Sequence, residues 1–163
     1  MVVAGCGIAA NDGAAETPAI TPEASLSTTL DLCRSQLNET LTAAGLNLVQ
    51  PASAVRPAEA PLLSAAPRTV GQVLLPGDPD HGYIVIYEFP DPASAYAAAQ
   101  QQAAYLASSE GAIQFLPDTQ FTLRQYGSCV VFYDWSPSVS TDPRSPDIQT
   151  ALDTFGVAIP VRR

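Results

Sequence analysis

The stretch Tyr-Ile-Val-Ile-Tyr-Glu-Phe at residues 83–89 decides the fold. β-Branched and aromatic side chains dominate it, and such residues favour strands. A second stretch of this kind, Cys-Val-Val-Phe-Tyr-Asp-Trp, stands at residues 129–135. Residues 84–89 and 130–135 match each other in size and charge class at every step. The match indicates either two copies of one unit or simply the likeness of buried strands to one another.

Each of the two stretches has a predicted strand partner. Residues 70–75 precede the first stretch across residues 76–82, a loop dense in proline, glycine and aspartate. Residues 121–126 precede the second stretch across Gly127-Ser128. Loops of turn-forming residues join antiparallel neighbours, so the sequence predicts two hairpins.

A predicted helix follows each hairpin, and another helix precedes both. An alanine-rich helix covers residues 92–108, and a shorter one covers residues 145–155. The first helix begins near Ser25 or Ser27 and runs to Ala44, because its apolar residues fall on one stripe at helical spacing.

The order strand, strand, helix therefore occurs twice, over residues 70–107 and 121–155. We expect an α+β fold in which an antiparallel sheet of about four strands carries packed helices, as a doubled ββα unit preceded by the N-terminal helix. Residues 46–49 are a candidate for a further short strand. The prolines of residues 50–67 predict a linker that lies over the surface. Residues 26–163 are then a single domain.

The charge composition disfavours a nucleic-acid partner. The chain has a net charge of −9 and no lysine, and its seven basic residues are arginines that stand mostly alone. Binding to a polyanion needs a clustered basic surface. The longest apolar runs are also far shorter than the roughly 20 residues that span a bilayer, so the sequence predicts no transmembrane helix.

The N-terminus carries the residues Val3-Ala4-Gly5-Cys6. They resemble the lipobox of bacterial lipoprotein signal peptides, and the resemblance implies cleavage before Cys6 and attachment of diacylglycerol to its thiol. Such an anchor would hold the protein to the bacterial cell membrane, outside the cytoplasm. Five residues precede Cys6, too few for the apolar core of a signal peptide, so we expect a longer leader. The alternative is a cloning remnant with an incidental cysteine.

Residues 1–25 are accordingly interpreted as a signal remnant followed by a disordered tether. Residues 7–25 are small, polar and interrupted by prolines, a composition that buries too little apolar surface to fold. Over roughly residues 26–160, the order of elements also resembles a group of small, uncharacterised bacterial lipoproteins, although the loop 136–144 is longer than expected for that group. This resemblance implies a lipid-anchored envelope protein and brings no catalytic residues with it.

Residues that carry catalysis or bind metal are sparse. The single histidine lies in Asp78-Pro79-Asp80-His81-Gly82, which could offer two carboxylates and an imidazole to a metal ion. A solvated hairpin turn is the favoured interpretation, because aspartate, proline and glycine are typical turn residues. No metal, cofactor or catalytic residue is therefore predicted.

Carboxylates that are distant in sequence leave an enzyme open as an alternative. The candidates are Asp78, Asp80, Glu88 and Asp134, which would have to meet in the fold. Glu88 and Asp134 occupy equivalent positions in the two hairpins, so we expect them to be neighbours.

Cys33 and Cys129 both lie on apolar faces, one on the first helix and one on a strand. Outside the cytoplasm, two thiols on touching elements would oxidise to a disulfide, and this is the favoured interpretation. Closing a loop of about a hundred residues would add roughly 4–5 kcal/mol in the chain-entropy model. The alternative is two separate buried cysteines that act as small apolar residues.

Aromatic residues on the strands form a candidate binding face. Tyr83, Tyr87 and Phe89 alternate onto one face of their strand, and Tyr133 and Trp135 onto one face of theirs. An exposed row of this kind would bind a ligand or a partner chain. The favoured alternative is that the row is core.

These features together predict a membrane-tethered exported domain without enzymatic activity, which binds an unidentified protein or small ligand in the cell envelope. The first alternative is an enzyme that uses carboxylates brought together by the fold. The second is a structural accessory protein that associates with itself through the aromatic face.

Overall fold

The computed structural model describes residues 27–51 and 55–162. Five helices occur in this part of the chain: α1 (Thr28–Ala43), α2 (Pro61–Ala65), α3 (Pro92–Ala107), α4 (Ser109–Ala112) and α5 (Ser145–Leu152). The strands are β1 (Leu48–Val49), β2 (Arg68–Val73), β3 (Tyr83–Glu88), β4 (Gln120–Tyr126), β5 (Cys129–Trp135) and β6 (Val157–Ala158). The predicted signal remnant and tether at residues 1–25, with Cys6, lie outside the described residues.

The strands form one open antiparallel sheet in the order β1-β2-β3-β5-β4-β6. The α+β class is confirmed, but the expectation of about four strands is wrong, because β1 and β6 extend the sheet at its edges. β1 lies within the candidate strand at residues 46–49, whereas β6 has two residues, too few for an alternating pattern to be visible in the sequence.

The two hairpins meet at the centre of the sheet, where β3 pairs with β5 and Ile84 stands opposite Tyr133. The order of two strands and a helix does occur twice along the chain, yet the two units do not pack alike. Tyr87 and Tyr133 align in sequence but lie on opposite faces, Tyr87 with α3 and Tyr133 with α1 and α5. A repeat related by symmetry would keep both on one face.

Helices cover both faces of the sheet and make two cores. On one face α1 and α5 pack against Ile84, Ile86 and Val131. On the other face α3 packs its small residues, among them Ala95 and Ala99, against the sheet. Short alanine side chains let the backbone of α3 approach the strands closely, so that the layer of aromatic and aliphatic strand residues fills the space between them.

The start of α1 is fixed at one end of the sheet. The hydroxyl of Ser27 accepts the N–H of Leu30 at 3.1 Å as an N-cap, and it donates to the carboxylate of Glu88. At its other end α1 stops before Gly45, whose φ of 71° suits glycine, and the carbonyl of Gly45 accepts from Arg144 at 2.9 Å. We call the end of the sheet where α1 starts the Glu88 end, and the opposite end the Asp134 end.

The prediction of a surface linker over residues 50–67 is wrong for its second half. Ala60 and Leu63 are buried, and residues 61–65 form α2. The side chain of Gln102, 0% exposed, accepts the N–H of Ala60 at 2.6 Å and donates to the carbonyl of Ala58 at 3.0 Å. Prolines set the local geometry, but a glutamine far along the chain docks the segment.

Across residues 27–51 and 55–162, none of the helices combines the length and the apolar character that crossing a membrane requires.

Candidate functional site

A cleft of about 700 Å³ opens at the Asp134 end of the sheet. Its walls come from residues 55–58 of the docked segment, from residues 80–83 at the start of β3, and from Gln114 and Phe115 after α4. Asp134, near the end of β5, completes the lining. Four segments that are distant in sequence therefore meet around one concave surface, which is how small-molecule sites are built.

Asp134 is the most unusual group in the cleft. Its carboxylate is half-buried and receives no hydrogen bond or ion pair from any residue that the structure describes. Burial raises the pKa of Asp134 to about 6, and the positive charge of a protonated His81 acts against this shift. A desolvated carboxylate without a partner is a typical feature of a binding or catalytic site.

His81 is held by a second carboxylate behind it. Its Nδ1 is hydrogen-bonded to Oδ1 of Asp78, which is only 5% exposed. Oδ2 of Asp78 accepts the N–H of Thr141 at 3.3 Å. This arrangement fixes the orientation of the imidazole, and Nε2 has no partner within the described part of the chain.

The loop that carries His81 is rigidly fixed to the sheet. The amide of Gln72 donates to the carbonyls of Pro79 at 2.8 Å and His81 at 2.9 Å. Gly82 has a φ of 84°, and a Cβ at this position would lie 2.5 Å from the carbonyl oxygen of Val73. The loop is an exposed hairpin turn, as the sequence suggests, and it presents His81 from a defined backbone position.

The loop at residues 136–144 packs against the loop that carries His81. Asp142 accepts the N–H groups of Arg144 and Gly77, both at 2.8 Å, and these backbone hydrogen bonds lower the pKa of its carboxyl group. The hydroxyl of Thr141 donates to the carbonyl of Gly77 at 2.5 Å. The long loop 136–144 thus braces the segment that precedes His81.

A buried ion-pair network stabilises the opposite wall. The side chain of Glu59 is 2% exposed and accepts from Arg68 at 3.0 Å, from Arg56 at 3.2 Å and from the hydroxyl of Tyr87 at 2.7 Å. Burial, followed by the hydrogen bond to Glu59, raises the pKa of Tyr87. Arg56 also donates to the hydroxyl of Ser64 at 2.5 Å, so its guanidinium is engaged outside the cleft.

Three of the four carboxylates named from the sequence come to the Asp134 end. Asp80 and Asp134 line the cleft, and Asp78 stands behind His81. Glu88 does not, and the expectation that Glu88 and Asp134 are neighbours is wrong. In the central pairing Glu88 stands opposite Cys129, five positions from Asp134 along β5, which corresponds to about 16 Å.

The aromatic residues named as a binding face do not share one surface. Tyr87 is 0% and Tyr133 1% exposed, and they belong to the cores on opposite faces of the sheet. Phe89 and Trp135 pack against these two cores as partly buried residues. Only Tyr83 lines the cleft.

Cys33 and Cys129 come together beneath α1 as two buried free thiols, close to each other but not joined in a disulfide. The hydrogen bond to Cys129 and burial raise the pKa of Cys33. Cys129 also contacts the carbonyl of Thr29 at 3.9 Å. The pair belongs to the Glu88 end and has no part in the cleft.

Within residues 27–51 and 55–162, no group of three or more His, Cys, Asp or Glu side chains is arranged to hold a metal ion. Sequence reasoning missed residues 55–58 of the cleft, which include Arg56, and also Gln114 and Phe115. Comparison of the chain with protein-family models, with curated proteins and with solved structures finds no match.

Proposed function

We propose that the protein is an exported, membrane-tethered binding domain of the bacterial cell envelope, and that the cleft at the Asp134 end is its ligand site. The observation that carries the proposal is the unpartnered carboxylate of Asp134 inside a concave surface built from four segments. Burying a charge without a partner costs stability, so a protein that keeps one has a use for it.

The position of the cleft fits a tethered domain. The first described residue, Ser27, lies at the Glu88 end, whereas the cleft opens at the opposite end of the sheet. A tether that runs from an acylated Cys6 through residues 7–25 would therefore join the domain at the end away from the cleft and leave the cleft accessible.

The ligand site is tested with the full chain in solution. We expect a library of monocyclic aromatic amines, alcohols and acids to give hits in a ¹H–¹⁵N correlation spectrum, with shifts concentrated at residues 80–83 and Asp134. The proposal fails if no fragment binds, or if every bound fragment shifts residues outside the cleft.

The anchor is tested separately in a bacterial host fed a labelled fatty acid. The native gene product should incorporate label and sediment with membranes, and the Cys6→Ser variant should do neither. Label that persists in Cys6→Ser would show that Cys6 is not the attachment site, and a wild-type protein without label would overturn the tethered half of the proposal.

An acid–base enzyme is the second candidate, and one observation favours it. His81, oriented by Asp78, and Asp134, with a pKa near 6, line the same cleft. Such a pair could exchange protons with a bound substrate near neutral pH. This candidate predicts turnover of a bound fragment or its ester or amide derivative, lost in His81→Gln, whereas a binding domain releases every ligand unchanged.

A further inference from the structure

We propose that the cleft selects ligands that carry a protonated amine, with the carboxylate of Asp134 as the counter-ion. This inference rests on the proposed function, because it names the chemistry of the ligand that the same cleft would take.

The charges around the cleft favour a cation. Asp134 and Asp80 face it, while the nearby guanidinium of Arg56 is already bound to Glu59 and Ser64. His81 can carry a positive charge, but its Nδ1 is tied to Asp78 behind the cleft. The unpaired charge in the cleft is therefore negative, and an anionic ligand would meet two carboxylates.

The chain supplies no ammonium group of its own to Asp134. It contains no lysine at all. Arg56 is the arginine that lines the cleft, and its guanidinium would have to turn toward Asp134 to bind it. The side chain of Arg56 is more than half exposed and is bound to the buried carboxylate of Glu59, so turning toward Asp134 would leave Glu59 with Arg68 as its ion-pair partner. Protonated His81 acts on Asp134 through its charge but makes no hydrogen bond to it, so a cation bonded directly to this carboxylate would come from a ligand.

The aromatic lining suits the organic part of such a ligand. Tyr83 and Phe115 line the cleft, and aromatic rings attract cations through their faces and pack against apolar groups. Gln114 adds a neutral donor and acceptor at the same wall. A volume of about 700 Å³ accommodates a small organic molecule and far exceeds a single hydrated ion.

Three probes of matched shape test this selection: benzylamine, benzyl alcohol and benzoate, titrated calorimetrically into the full chain. We expect benzylamine to bind at least about tenfold more tightly than the other two, an advantage that a desolvated ion pair can supply. Asp134→Asn should abolish this preference, and Asp153→Asn, which removes an exposed carboxylate outside the cleft, should retain it.

Proton release gives a second readout. Because burial raises the pKa of Asp134 to about 6, pairing with a cation near this pH should release protons, measured from the dependence of the binding heat on buffer ionisation. The other titratable groups facing the cleft are His81, Asp80 and Tyr83, so Asp134→Asn is the control that assigns the proton.

The two proposals fail in different ways. Benzyl alcohol or benzoate binding in the cleft as tightly as benzylamine would overturn the amine selection and leave the ligand site standing. A preference for benzylamine that survives in Asp134→Asn would also overturn it. Failure of every fragment to bind would overturn the ligand site itself.

Discussion

At the scale of single residues, the polar groups that are removed from solvent fall into two kinds, those with hydrogen-bond partners and those without. Glu59 and Gln102 are buried with their hydrogen-bonding capacity used, and they fix the segment before α2 to the rest of the domain. Asp134 is half-buried, and its carboxylate accepts no hydrogen bond from a described residue. Glu59 and Gln102 stabilise the fold through their hydrogen bonds. The carboxylate of Asp134 costs free energy, and it stays in place because the strand that carries it is fixed in the sheet.

Replacing Asp134 by asparagine should stabilise the protein at alkaline pH. The pKa of Asp134 is about 6 in the folded protein and about 3.9 in the unfolded chain, so the folded state binds the proton more tightly. The free energy of unfolding is therefore highest below about pH 4 and falls as the pH rises through 6. We expect Asp134→Asn to exceed the wild type by about 1–2 kcal/mol at pH 8 and by little at pH 4, measured by urea unfolding. The exposed neighbour Asp80→Asn serves as the control, and equal stability of wild type and Asp134→Asn at pH 8 would contradict the burial of this charge.

Replacing Gln102 by methionine should destabilise the protein. The variant keeps the side-chain length but leaves the N–H of Ala60 and the carbonyl of Ala58 without partners, at a cost of about 2–4 kcal/mol. Gln101→Met is the matched control, since Gln101 makes one exposed hydrogen bond to Leu62 at 3.0 Å and should cost less than about 1 kcal/mol. Denaturant unfolding compares the two, and similar losses would show that the segment is not docked through Gln102.

At the scale of elements, length decides what the sequence reveals. The hairpins and the helices α1, α3 and α5 could be predicted because each repeats its apolar pattern over several residues. β6 and α4 have two and four residues, too short for any periodicity. The docking of α2 could not be predicted either, because it depends on a side chain from α3 rather than on local sequence.

The register between strands explains the wrong prediction that Glu88 and Asp134 are neighbours. Strand identity was predictable, but the register between β3 and β5 was not, because both strands are apolar on both faces and alternation leaves the pairing open. Aligning the two hairpins by similarity placed Glu88 beside Asp134, whereas the antiparallel register separates them. The turn at Asp78 and His81 was interpreted from the sequence as a solvated hairpin turn, and only the fold shows that His81 lines one cleft with Asp134.

The turn before β3 has a conformation that a side chain would break. Gly82→Ala adds a Cβ 2.5 Å from a backbone oxygen at positive φ, and we expect a loss of about 2 kcal/mol or more together with displaced His81 resonances. Gly127→Ala is the control: its φ is 55° with nothing within 4 Å, so only about 1 kcal/mol of backbone strain is expected. Thermal unfolding and ¹H–¹⁵N spectra measure both. A Gly82→Ala variant as stable as Gly127→Ala would contradict the close approach to Val73.

The thiols beneath α1 should be unreactive in the folded protein. The raised pKa of Cys33 suppresses its thiolate, and burial keeps a reagent away from both thiols, so a chromogenic disulfide reagent should label Cys33 and Cys129 only at the rate of unfolding. Labelling in a Cys6→Ser background isolates the pair. Rapid labelling under native conditions would contradict their burial, and two thiols unavailable even in denaturant would show that they had oxidised.

At the scale of the whole molecule, the sheet separates two chemically different ends. The Glu88 end holds the start of α1 and the thiol pair, and the Asp134 end holds the braced loops and the cleft. Helices on both faces bury the strands that connect the ends, so Tyr87, Phe132 and Tyr133 contribute packing rather than a contact surface.

The carboxyl titration of Asp134, followed by carbon-detected NMR on the full chain, tests the central claim most directly. An unpartnered, desolvated carboxylate predicts an apparent pKa of about 6 for Asp134 in the free protein. A value near the ordinary 3.9 of a solvated aspartate, or below it, would mean that the group is hydrated or paired, and the cleft would then be ordinary surface.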